Sequence, residues 1–542
     1  MASVELIFAA VAAADLCLKY GTRLVGAYQA VKHADESVRA RVLAVEAIWS
    51  RTTSQVEFVK RIAKSLEPDH CRIHLEVFEM LQIRLARAVT KIESVLVKAD
   101  SGFVVNKVKY LFYRDEIDRV ISELEQWQRM FDPTWYLILR MGDKAVDSEL
   151  STSAGGSPTL ASSETLAAVP LGLAPAQKFR KTLLRDSDAD VHISLREDGL
   201  DWREAVEIAY STSRVIPRAD LKKRRTYAVD TITCTPDLDI ARTRADAETL
   251  AKKLSQVDPS AFGLLSCNGL IKRKDPDTRQ LSSLNLVFHM PNKTDTQPTS
   301  LRHLLLHSSN FSLTRILNIA RQLASAVSFV HTCDFVHKNI LPETILVFPD
   351  KTCALGSAYL LGFDSFRSVN FHTLRTGDAA WDRNLYRHPS RQGIFAQDTY
   401  SMQHDVYSLG VCLLELGLWK SFVLYERPEL QHGGGEDRGS DANLKPLPSD
   451  VLGLSLEDFA FMGNQAMQSS PKIKDHLVGV ARSRLPMCMG DRYTAVVVTC
   501  LTCLDPGNED FGDEEDMKDD DGILIGVRFI EKVLLKLSEI SF

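Results

Sequence analysis

Hydrophobic periodicity divides this chain before any motif does. Through the first third, apolar residues recur every three or four positions, the spacing of one helical face. Val4 to Tyr28 is rich in Ala, Val and Leu and predicts a single helix; within it Leu6 to Ala14 is an unbroken apolar run that ends at Asp15. Asp35-Glu36-Ser37 predicts a helix start, with carboxylates where the positive end of the helix dipole favours them. Val38, Val42, Val45, Trp49, Val56, Val59 and Ile62 then share a face until Pro68-Asp69 breaks the pattern. A third stripe carries Ile73, Val77, Leu81, Leu85, Ala88, Ile92 and Leu96 and stops at Ser101-Gly102. The short piece Val108 to Tyr113 leads into a fourth, with Ile117, Val120, Leu124, Trp127 and Phe131, closed by Asp132-Pro133. No strand pattern interrupts these stripes. They predict an all-α bundle of four or five antiparallel helices over residues 1–140.

The pattern then lapses. Ser148 to about Gln177 is rich in Ser, Ala, Gly, Thr and Pro without a sustained stripe, which predicts a flexible linker over 141–184. Beyond it the periods are mixed. Tyr227-Ala228-Val229-Asp230 and Leu284-Asn285-Leu286-Val287-Phe288 read as strands, and 241–254 reads as a helix. Leu313, Ile316, Leu317, Ala320, Leu323, Ala324, Val327 and Val330 form a strong helical stripe. The fold class expected is therefore multidomain: a helical bundle followed by an α+β body.

Composition narrows the picture only a little. At 542 residues, 45% apolar and 25% charged, the chain fits several folded domains. A net charge of -6 gives no footing for a nucleic-acid partner. Ten scattered cysteines and no secretory signal predict a reducing, cytoplasmic setting. Cys500-x-x-Cys503 has no second ligand pair nearby, so buried helix cysteines are expected and no metal site. Glu509 to Asp521 is an acidic run without the spaced ligands of a calcium loop, and reads as solvated. His432 to Pro448 reads as a flexible insertion.

The chemistry-bearing stretch is Phe335-Val336-His337-Lys338-Asn339-Ile340-Leu341-Pro342-Glu343-Thr344-Ile345-Leu346. It resembles the catalytic loop of protein kinases, His-Arg-Asp-Leu-Lys-Pro-Glu-Asn-Ile-Leu, with the polar working residues exchanged. Asn339 stands at the catalytic Asp, Leu341 at the Lys and Thr344 at the metal-binding Asn. An amide does not take the substrate hydroxyl proton as a carboxylate does, and a threonine is a poor magnesium ligand. Leu361-Gly362-Phe363-Asp364 stands at Asp-Phe-Gly, which puts Gly362 at the metal carboxylate and leaves Asp364 as a turn or surface residue. Asp230 occupies the place of the phosphate-gripping Lys, or Lys222 or Lys223 does on a shifted alignment, and Glu248 matches that lysine's partner. Between 188 and 225 there is only an isolated Gly199 in place of a Gly-x-Gly-x-x-Gly loop. Tyr386-Arg387-His388-Pro389-Ser390 resembles the end of an activation loop, with Ser390 at its Glu, and the arginine expected after Asp505-Pro506 is absent too. His404-Asp405-Val406-Tyr407-Ser408-Leu409-Gly410 matches a structural segment whose Asp405 ties a core helix to the catalytic loop. The resemblance implies a bilobal kinase-like domain, with a small lobe over 185–291, a hinge at His289-Met290-Pro291 and a large lobe over 292–542. In this degenerate loop His337 is kept, and the exchanged positions Asn339, Leu341, Thr344 and Gly362 argue for a pseudokinase, no catalytic residue, and no ATP or other cofactor.

The first third also resembles a family. Its small apolar first helix, its long charged pair and Asn106-Lys107-Val108-Lys109-Tyr110-Leu111-Phe112-Tyr113-Arg114-Asp115 look like the HeLo domain of fungal incompatibility and prion-inhibition proteins. That resemblance implies a bundle whose apolar end is released to attack a membrane, and marks Leu6, Ile7, Phe8 and Val11 as the membrane-active segment. Asp15 argues against a stable span. The plan as a whole looks like that of the animal necroptosis executioners. The function expected is a cell-death or heterokaryon-incompatibility signalling protein, cytoplasmic and peripheral to the membrane on activation. Its partners would be an upstream activator, further copies of itself and lipid. A divergent active kinase and a non-enzymatic scaffold are the alternatives.

Overall fold

A computed structural model describes residues 2–29, 36–99, 102–105, 110–140, 144–152, 173, 176–177, 179–180, 193–219, 225–235, 239–291, 297–308, 311–350, 353–364, 366–368, 376–378, 380–395, 400–426, 444–460, 466–511 and 523–542. Contacts divide the chain into two compact units, Met1–Arg185 and Asp186–Phe542.

The first unit is built on α1 (Ala2–Gln29), α2 (Glu36–Ile62), α3 (Pro68–Val95) and α4 (Tyr110–Arg140), followed by the short α5 (Lys144–Thr152). Pro68 opens α3, where its missing N–H costs nothing. The stripes are the core: Val38, Val42, Val45, Val77, Leu81, Leu85, Ile117 and Trp127 are all buried. Lys60 on α2 pairs with Asp15 on α1 at 2.5 Å, and Gly21 on α1 faces the Trp49 indole, so α1 and α2 run antiparallel. A Cβ at Gly21 would lie 1.9 Å from that ring. Only glycine admits so close an approach. Three aromatics of α4 knit the centre: Trp127 stacks on Phe131 at 4.8 Å, and Trp135 meets Phe58 edge-on at 4.8 Å.

Three expectations for this unit are corrected. A hairpin does interrupt the helices: β1 (Leu96–Ala99) pairs antiparallel with β2 (Gly102–Val105), so Leu96 belongs to a strand and not to the third helix. Asp132-Pro133 does not close the fourth helix, which runs on to Arg140. An internal proline costs a helix about 3 kcal/mol. Here Trp135, Tyr136, Leu137, Ile138 and Leu139 are all buried beyond it, and Asp132 accepts from Arg51 at 2.8 Å and from Gln128 at 3.0 Å. That burial outweighs the break. Finally, part of the stretch read as linker is folded. Arg180 donates to Asp147 at 2.9 Å and to the Leu139 carbonyl at 2.7 Å, and Phe179 packs edge-on against Tyr136. Asn106 to Lys109 lies outside the described residues, as does all of Ser153 to Gly172.

The second unit opens with a six-stranded sheet in the order β3 (Ser194–Leu195), β7 (Cys267–Lys274), β8 (Leu281–His289), β6 (Thr226–Thr233), β5 (Arg214–Pro217), β4 (Val206–Glu207). All pairings but β3–β7 are antiparallel. Helix α6 (Ile240–Leu254), capped by Asp239, packs on β7 and β8 through Ala247, Leu250, Ala251 and Leu254. After β9 (Thr299–Ser300) the body becomes helical: α7 (Leu301–His307), α8 (Leu313–Thr332), α9 (Met402–Leu418) and α10 (Ala466–Leu501), the last breaking at Gly490. Between α8 and α9 lie the short strands β10 (Phe335–Val336), β11 (Ile345–Phe348) and β12 (Ser357–Leu360). Helix α9 is buried on every side, from Met402 to Gly417. The chain ends in Ile523–Phe529, a π-helical turn Ile530–Leu535, and Lys536–Glu539. Among the described residues no helix is long and apolar enough to cross a membrane.

Candidate functional site

The site is the seam between sheet and helices, where β6, the loop after β10 and the loop after β12 meet. Asp405 on α9 sets its floor. Its carboxylate accepts from the backbone N–H of His337 at 2.7 Å and of Lys338 at 2.9 Å, from the Tyr400 hydroxyl at 2.8 Å, and lies 3.1 Å from His331 Nε2. Burial alone would push this carboxyl up. The His331 contact and the backbone N–H of His337 oppose burial and hold it below its usual range. His337 itself is fully buried and driven down to about 4, so it is neutral at physiological pH, and its ring lies 4.7 Å from Phe363.

The exchanged positions are joined to one another. Asn339 donates its side-chain amide to Asp364 Oδ1 at 2.7 Å and to the Gly362 carbonyl at 3.3 Å. Thr344 Oγ1 donates to the carbonyl of Asn339 or Leu341, each at 2.9 Å, and lies 3.3 Å from the Leu341 N–H. The Leu361 N–H donates to the Thr344 carbonyl at 2.8 Å. Above them Asp230 is fully buried on β6, and its Oδ2 accepts from the N–H of Gly362 at 2.7 Å and of Phe363 at 3.2 Å. Its Oδ1 accepts from Ser213 in the loop between β4 and β5. Gly362 has φ +83°, and a Cβ there would sit 2.2 Å from Thr344 Cγ2 and 2.6 Å from Thr344 Cβ. Asp230, Asn339, Thr344 and Gly362 thus form one closed network around Leu361–Asp364.

One further expectation changes here. Glu248 is not left facing a like charge: Lys272 on β7 donates to it at 2.6 Å and Arg244 at 3.0 Å, so a lysine on another strand takes over the pairing. Asp364 does lie in a turn, half-buried, and is in addition the acceptor for Asn339. Lys222 and Lys223 lie outside the described residues. Leu341 serves through its backbone alone in the bonds to Thr344.

At the end of the segment, Ser390 lies 3.1 Å from His404 Nε2 and 3.0 Å from His388 Nδ1, a hydrogen-bonded chain where an ion pair was missing from the sequence. Burial lowers His404 to about 3. Asp505 is salt-bridged to Lys474. Cys500 and Cys503 are buried, and burial pushes both thiols up. All ten cysteines are free.

Sheet order, the helix on its face, and a loop fixed by an α9 carboxylate are the features that decide the fold. The family of protein tyrosine and serine/threonine kinases matches residues 283–419, from β8 through α9. The carboxy-terminal region is kinase-like. Its relatives include serine/threonine-protein kinase PknD from two strains of Mycobacterium tuberculosis, 34% identical over 118 residues, which are 22% of this chain. The chain spans 16% of the length of those curated relatives. In the kinase-like region the matched part holds the large-lobe motifs, and strands β3 to β7 lie before it.

Asp230 is electrostatically perturbed within this site. Burial pushes its carboxyl up to about 6 against the bonds from Ser213, Gly362 and Phe363, and the Asp364 charge adds to burial. A carboxyl whose folded pKa is raised binds its proton in the folded chain first, so its ionised form costs stability at neutral pH and the cost is relieved as pH falls from about 6 toward 3.8. The linkage is worth about 3 kcal/mol over that window. In urea titrations, the stability difference between Asp230→Asn and the parent chain should favour the variant most at pH 7 and shrink steadily toward pH 4. A difference flat with pH would refute the assignment.

Proposed function

We propose that this chain is a signalling protein in which a kinase-like region without phosphoryl-transfer activity regulates the helical bundle at the other end. The observation that carries the reading is the closed network. Each position where a kinase keeps a charged or metal-binding group holds a residue bonded to its neighbours in the protein. Asn339 has no basic lone pair to offer a hydroxyl, and Asp364, two residues along the chain from the metal position, already accepts from Asn339. Asp230 carries negative charge where phosphates need positive charge. ATP is therefore not expected as a cofactor.

The bundle is read as HeLo-like and as the effector. Val4, Phe8, Ala12 and Leu16 lie at successive four-residue steps on α1 and are all exposed, Phe8 by 67%. Leu6, Ile7 and Val11 beside them are half-buried. An exposed apolar stripe this long fits a lipid surface or another copy of the bundle better than water. In this reading an upstream partner changes the state of the kinase-like region. The bundle then self-associates and reaches anionic membranes, as regulated cell death or fungal incompatibility would require.

Two measurements on purified protein test the halves separately. Mg-ATP at millimolar concentration is expected to leave the melting temperature of the full chain unchanged; a magnesium-dependent rise of several degrees would sink the inactive-site reading. Residues 1–185 are expected to release dye from anionic vesicles, and Phe8→Glu to abolish release. Intact vesicles with the parent fragment would leave the bundle a protein-binding module.

A further inference from the structure

The loop between β4 and β5 is tied to the rest of the kinase-like region at both of its ends. Ile208 is buried within it. The Ala209 carbonyl accepts from Ser300 Oγ at 2.5 Å, at the start of α7. Tyr210 has φ +56°, a left-handed conformation that costs a non-glycine residue about 1–2 kcal/mol. Its hydroxyl lies 3.3 Å from His307 Nε2, and its ring lies 5.0 Å from Tyr425, 5.9 Å from His307 and 6.0 Å from His303. Ser213, at the other end, is completely buried and donates to Asp230, whose other oxygen holds Gly362 and Phe363. Strain at Tyr210 persists only because neighbours over-determine it.

From these contacts we infer that residues 208–213 are a strap: the chain's own side chains hold it across the seam between sheet and helices, and Asp230 couples release of the strap to release of Leu361–Asp364. This rests on the reading of the region as one that takes no nucleotide, and it adds how that region changes state. The coupled element runs from α7 through the strap and Asp230 to the loop stacked on His337. A protein partner that pulls Tyr210 from its seat between α7 and Tyr425 would loosen the Gly362 and Phe363 amides without touching them. In a nucleotide-driven kinase the ligand fills the cleft and orders the loop; here the ordering bonds are all internal.

Native-state hydrogen exchange on the full chain tests this. Ser213→Ala removes one hydroxyl from a buried position and leaves the strand sequences intact. It should speed exchange of 208–213 and also of 361–364 by about five- to tenfold, while β8 is unchanged. Tyr210→Ala, a half-exposed position that folding tolerates, should speed the strap and to a smaller degree 361–364. Faster exchange confined to the strap, or no change in either segment, would overturn the coupling and leave the inactive-site reading standing. Protection of 208–213 by Mg-ATP in the parent chain would overturn both.

Discussion

Arg302→Met is expected to cost the kinase-like region roughly 3–5 kcal/mol, read as a fall in the urea midpoint with the denaturant slope unchanged. Arg302 has no exposed surface at all. It donates to Glu343 at 2.8 Å, Glu415 at 2.8 Å, Ser421 at 2.7 Å and the Tyr386 hydroxyl at 2.6 Å, so one guanidinium joins α7, the catalytic-type loop, the activation-type segment and α9. Methionine fills much of the volume and satisfies none of those acceptors. Glu415, equally buried, keeps only the Tyr386 hydroxyl and the Phe422 N–H as donors. The loss is therefore the cost of a stranded buried carboxylate and not of the pair itself. That cause makes a second, signed expectation. Burial already raises Glu415 and Arg302 opposes it. Without the arginine the carboxyl rises further, so the variant should recover part of its stability as pH is lowered from 7. Arg302→Lys should fail almost as badly, because one ammonium does not reproduce a planar fork reaching four partners.

Gly362→Asp, which rewrites Leu-Gly-Phe-Asp toward the kinase motif, should destabilise the region by about 3 kcal/mol or more and produce no ATP hydrolysis or phosphoryl transfer. Two costs add. Position 362 holds φ +83°, where a side chain is strained, and its Cβ would enter Thr344 at 2.2 Å. Combining it with Thr344→Ala relieves only part of the clash, because the Thr344 Cβ is itself 2.6 Å away. A radiolabel transfer assay on the double variant with Asn339→Asp should still read background. Transfer above background in Gly362→Asp alone would show that the exchanged positions are more tolerant than their packing indicates.

Much of the fold was legible because burial follows period. The stripes of α2, α3 and α4 and, Leu313 apart, of α8 predicted which residues are buried, and the resemblance of the Asp405 segment to a kinase motif implied a core helix beside the loop. What escaped depended on partners distant in the chain. Leu96 continues the period of α3, so the β1–β2 hairpin was invisible until pairing with Gly102–Val105 supplied the competing bonds. Pro133 is a stop by local rules, and the aromatics that override it lie across the bundle. Lys272 is twenty-four residues from Glu248 and on another strand, with no motif to announce it. Asp230 was legible as a missing lysine. Its bonds to the Gly362 and Phe363 amides, 132 and 133 residues away, were not.

The fit of Gly362 against Thr344 also bears on redesign. A side chain placed at 362 meets the threonine, so that position does not change independently of its neighbour. Installing a metal-binding carboxylate there is at least a two-site problem, and a screen of single substitutions would pass over it.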